Sequence, residues 1–136
     1  RFDQLRATWA RGELMPLEQL LGASPQTALE GSTRGALDYY AQLWALAHFI
    51  NEDAVMRRNL EALLADAAGG KLRPALRARY GARAAEAALA SRLGPLLFEA
   101  YLSQDLRTTS RNYATFVRRI VQTGAKERIV MGLAPL

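Results

Sequence analysis

The chain contains a single imidazole, on His48, and its neighbours limit what chemistry it can do. Glu52 lies four residues further on and Asp53 follows it, so a His-x-x-x-Glu pair can share one helix face. Two groups do not make a metal site, which takes three or four ligands. A His set among aromatics is most simply a hydrogen-bonded core residue. His48 also closes a stripe with Tyr40 and Trp44 at i, i+4, i+8 spacing. Tyr39 and Gln42 adjoin that stripe and add one hydroxyl and one amide. The plain role of such Tyr residues is packing, with the hydroxyl satisfied by backbone. Ser-His-Asp catalysis would have to use His48, and no suitable Ser lies near it; Gly-x-Ser-x-Gly does not occur. Gly69-Gly70-Lys71 lacks the spacing and the preceding strand of a phosphate loop.

These residues belong to a run without charge, Tyr39 to Ile50, twelve residues long. A helix that is apolar on every face must be wrapped by others, so a helix over about 36–51 is expected at the centre of the fold. Before it, Phe2 to Arg11 reads as an amphipathic helix ended by Gly12, and Met15 to Gly22 as one or two helical turns. Ser24-Pro25 opens a brief turn through Glu30, and 31–35 reads as a loop. After it, Asp53 caps a helix to about Ala68 that Gly69-Gly70 ends. Shorter helices follow over Leu72–Tyr80 and Ala82–Leu93, broken or restarted by Gly94-Pro95, and then an apolar face over Leu96–Leu102. Thr109 or Ser110 caps a strong helix through Ile120 that turns at Gln122–Gly124; the tail 129–133 is a short helix or an extended segment. No stretch alternates with a strand's period of two. The expectation is one all-α domain over 1–136, an irregular bundle of six to eight helices, and a fragment or lobe of a larger protein.

Composition agrees. At 136 residues the chain can bury a real core, and half of it is hydrophobic with Ala and Leu dominant. No apolar run approaches 18 residues, which argues against a membrane span. Without Cys there are no disulfides or thiolate metal sites, which by itself does not fix the compartment. The net charge of +5 is uneven: residues 1–66 carry −3 and residues 71–128 carry +8. Arg makes up 16 of the 18 basic residues, and a solvated basic surface accounts for them more simply than nucleic acid. Lys71, Arg73, Arg77, Arg79 and Arg83, with Tyr80 interleaved, give a faint nucleic-acid signal.

Tyr40, Gln42, Trp44, Ala45, Leu46, His48 and Phe49, followed by Ile50, resemble a Tyr-x-Gln-x-Trp-Ala-Leu-x-His-Phe-Leu pattern in the C-terminal part of bacterial gluzincin-type (peptidase-MA-like) metalloproteases. The flanks are similar: Pro16-Leu17-Glu18-Gln19-Leu20 before it, and Gly70, Tyr80-Gly81 and the Phe98, Tyr101 pair after it. The likeness covers about Leu14 to Leu102, and most of its motif positions are packing residues. It implies a zinc enzyme whose H-E-x-x-H helix holds the metal. One His in total cannot supply that motif, so zinc is expected in a part upstream of Arg1 and neither metal nor cofactor in this chain. The resemblance makes this piece the helical lobe that lines the substrate cleft and is not catalytic alone. It implies the upstream catalytic domain and a peptide or protein as partners; the residues do not fix the compartment, with periplasmic or secreted slightly favoured over cytoplasmic. In such enzymes a Tyr or His of the lobe can donate to the oxyanion formed when water attacks a peptide carbonyl. Tyr40 is the first candidate for that donor and His48 the second; Tyr39 and Gln42 are candidates to line the cleft. The rival is a non-enzymatic helical interaction module whose basic half docks an acidic partner or nucleic acid.

Overall fold

The computed structural model describes residues 1–91, 93–123 and 125–133, the Leu29 side chain apart; the expected turn at Gly124 lies outside these residues. The described residues form only helices and their connections: α1 (Phe2–Ala10), α2 (Leu17–Gly22), α3 (Pro25–Gly31), α4 (Thr33–Glu52), α5 (Ala54–Ala68), α6 (Leu72–Tyr80), α7 (Ala82–Ser91), α8 (Leu93–Leu97) running into a π turn (Phe98–Leu102), α9 (Leu106–Gln122) and α10 (Ala125–Val130). The all-α fold is thus as expected, with ten α-helices among the described residues where six to eight were anticipated. The excess comes from short pieces. The expected loop 31–35 shrinks to Ser32, because α3 runs through Gly31 and the Ser32 hydroxyl at once accepts from the backbone N–H of Gly35 to start α4.

Side-chain caps start four of the helices among the described residues: Ser24, Ser32, Asp53 and Asp105. Ser24 accepts from Thr27 N–H, and the Asp53 carboxylate accepts from Val55 and Met56 N–H, both as their types predict. The expected cap of α9 at Thr109 or Ser110 is displaced to Asp105, which accepts from Thr108 N–H at 3.0 Å. Thr109 instead lies buried in the second turn and donates its hydroxyl back to Asp105 O. Asp outcompetes Thr here because its charge also suits the positive end of the helix.

Helix α4 packs against α1, α2, α3, α5 and α9 and so runs through the middle of the molecule. Its inner side joins Leu5, Leu17, Leu20, Tyr113, Val117 and Ile120 in one core cluster. Phe49 meets the rings of Tyr113 and Phe116 at 5.8 and 5.6 Å, which locks α4 to α9. One contact is closer than a side chain would allow. A Cβ on Gly94 would lie 2.1 Å from the Leu21 carbonyl oxygen, so the start of α8 can meet the end of α2 only with glycine there.

Candidate functional site

The structure corrects one expectation at the outset: α4 is not wrapped all round. Ala41, Gln42, Ala45, Leu46 and Ile50 face the core, whereas Leu37 is 52% exposed, Tyr40 is 40% exposed and Ala47 is exposed. Trp44 and His48 are half-buried between these extremes. The absence of charge from Tyr39 to Ile50 therefore has two causes, a buried inner face and an outer stripe that is uncharged yet uncovered.

The outer stripe contains the chemistry-bearing pair. The His48 ring stands edge-on to Trp44 with centroids 4.6 Å apart, and Trp44 is in turn edge-on to Phe2 at 6.5 Å. Trp44, Ala47, His48, Ile50, Asn51, Arg57 and Leu60 line a groove of ≈ 340 Å³ between α4 and α5. Burial in it pushes the imidazole below its ordinary 6.5, and Glu52 only partly offsets this. Burial thus favours the neutral ring, which has one N–H to donate and one nitrogen to accept. Among the described residues neither nitrogen has a hydrogen-bond partner, and neither is sealed from solvent. Tyr40 stacks its ring edge against Tyr39 at 5.4 Å, and its hydroxyl has no protein partner among the described residues.

Tyr39 and Gln42 lie on the other side. Tyr39 is buried; its hydroxyl donates to Ala23 O at 3.4 Å, and burial raises its pKa. Gln42 is fully buried. Its Oε1 accepts from the backbone N–H of Met15 at 2.7 Å, its Nε2 donates to Asp38 O, and its own carbonyl accepts from the Tyr113 hydroxyl. Within this chain the amide thus anchors the segment after α1 and does not front an open cleft.

A polar hub missing from the sequence reading lies two residues before the stripe. Asp38 accepts from Gln4 Nε2, from Thr8 Oγ1 at 2.8 Å and from Arg11 Nη2 at 2.9 Å. Arg11 and Arg34 both pair with Glu13 at 2.6 Å. Burial pushes the Asp38 carboxyl up, but the bonds from Gln4, Thr8 and Arg11 outweigh it and hold the pKa below its ordinary value. The hub clamps α1 onto α4 and so fixes where the stripe begins. Arg34 and Asp38 at i, i+4, on the edge of an uncharged run, were the visible signal.

The two other flagged aromatics also serve packing. Tyr101 donates its hydroxyl to Asp66 at 2.7 Å; burial, and then this bond, push its pKa up to about 12, and Phe98 is buried in the core. No three His, Asp or Glu side chains converge on a common point among the described residues. No helix among them is long and apolar enough to cross a membrane. Comparison of the chain with protein families, with curated proteins and with solved structures finds no match.

Proposed function

We propose that the chain is the helical C-terminal lobe of a zinc-metallopeptidase-like protein, walling the substrate cleft and not catalytic on its own. The observation that supports this best is the division of α4. Tyr40 and His48, the two candidate donors, are on the uncovered outer stripe with polar atoms that no described residue occupies. A lobe needs such a face to meet a catalytic domain or a bound peptide, and a purely structural helix would cover it. Tyr39 and Gln42 then act from behind, holding the backbone that carries the stripe.

The residues here do not fit zinc. His48 and Glu52 stand at i, i+4, and no group of three His, Asp or Glu that could hold a metal occurs among the described residues. In this reading zinc is held by another part of the parent protein. What this chain would contribute is a hydrogen bond to the oxyanion, from the Tyr40 hydroxyl or from neutral His48. Loss of one such donor lowers kcat by about 10²–10³.

The test uses the full-length parent on a peptide substrate, comparing Tyr40→Phe, His48→Gln and, as a buried control, Tyr39→Phe. The expected result is a kcat loss of that size in one of the first two variants with KM little changed, and none in the control. Hydrolysis unaffected by both outward variants would refute the role.

A further inference from the structure

The fold treats the arginines of the basic half in two different ways. Arg73 and Arg77, part of the sequence's basic edge, share the single carboxylate of Glu86, so these two guanidiniums are tied to a counter-ion. On α9 no Asp or Glu occurs from Leu106 to Gln122, while Arg107, Arg111 and Arg118 are all exposed. None of these three makes an ion pair among the described residues. At 3.6 residues per turn they fall within an arc of about 40° and extend along about 16 Å of the helix. Arg119 turns aside into a groove it shares with Glu52 and Asp53. Asp105 adjoins the stripe but is occupied as the helix cap, accepting from the backbone N–H and hydroxyl of Thr108.

One aromatic side chain, Trp9, lies beside this stripe. Trp9, Gly12, Leu14, Ala114, Thr115 and Arg118 line a groove of ≈ 420 Å³ between α1 and α9. The half-buried Trp9 indole and the Arg118 guanidinium thus border one space. We propose that this groove and stripe bind single-stranded nucleic acid, with Arg107, Arg111 and Arg118 on successive phosphates and one base laid against Trp9. Each element of the surface argues for that ligand. Guanidiniums pair with phosphate oxygens, and an indole beside a cationic track is the stacking platform of single-strand binders. An acidic peptide would satisfy the arginines but leave the indole without a planar partner, and duplex bases are already stacked. The proposal rests on the α9 surface and not on the α4 stripe that supports the peptidase-lobe reading.

The experiment is fluorescence anisotropy of the full chain with a labelled oligo-dT of about 15 nucleotides, a length within single-strand site sizes. Three neutralised phosphates predict a log–log salt slope of about −2, hence about 20-fold weaker binding at 200 than at 50 mM salt. Arg111→Gln should lessen that slope by about 0.7. In a Trp44→Phe background, checked for folding by circular dichroism, Trp9 is the one remaining indole, and its fluorescence should be quenched by the oligomer. An oligo-rU of equal length tells DNA from RNA preference, and binding of either supports the proposal. Three results would overturn it: no saturable binding at 50 mM salt, a slope unchanged by Arg111→Gln, or equally tight binding of duplex DNA or polyglutamate.

Discussion

Replacing Asp38 by Asn removes the charge at the point where α1 is clamped onto α4, and the expected cost follows from its contacts. The carboxylate accepts from Gln4, from Thr8 at 2.8 Å and from Arg11 at 2.9 and 3.1 Å, with a side chain only 13% exposed. Asn keeps one acceptor oxygen and turns an N–H₂ towards groups that are themselves donors. Hydrogen bonds to a charged group are worth about 1.5–3 kcal/mol each. Arg11 retains Glu13 at 2.6 Å, so its own charge is not stranded, and the net loss comes to about 2–3 kcal/mol. Near this chain length that is a fall in Tm of about 10 °C. The pH dependence has a definite sign. A carboxyl held below its ordinary 3.8 in the folded state adds stability above that pH and loses it as pH falls through the folded value. Urea melts of wild type and Asp38→Asn should therefore differ fully near pH 7 and converge in strong acid. A difference under about 0.5 kcal/mol at neutral pH, or one that persists unchanged in acid, would refute this assignment of the hub.

Gly94→Ala should be far more damaging than its chemistry suggests, because the new Cβ would lie 2.1 Å from the Leu21 carbonyl oxygen and must push α8 off α2. Thermal melts should show a loss of about 3 kcal/mol or more, whereas Gly22→Ala, with its nearest atom Pro95 Cγ at 4.0 Å, should leave Tm within a few degrees. Gln42→Leu deprives the Met15 N–H of its acceptor in a fully buried setting and should cost about 1–3 kcal/mol by denaturant unfolding.

The helices themselves were readable because their ends are written in local residue types. Ser24, Asp53 and Gly69-Gly70 act within a few residues of where they stand, so spacing alone located α3, α5 and the gap before α6. Thr109 misled because it is a cap former by type, but Asp105 takes the helix start and Thr109 lies buried inside the helix, bonded to Ser103 and to Asp105 O. The stripe Tyr40, Trp44 and His48 was legible as a pattern, but which way it faced was not. A run without charge looks alike whether a neighbour covers it or not, and only the packing of α1 and α5 decides. The Asp38 hub was hidden for a further reason: Gln4, Thr8 and Arg11 are about thirty residues away in sequence and meet it only through the α1–α4 contact.

Whether the chain is a peptidase lobe can be decided by reading about a hundred codons upstream of Arg1 in the parent gene. An H-E-x-x-H with a Glu about twenty or more residues after it is the predicted result, and it would make Tyr40 and His48 the first positions to mutate. A start codon or signal cleavage site immediately before Arg1 would contradict the proposal and leave the helical interaction module in its place.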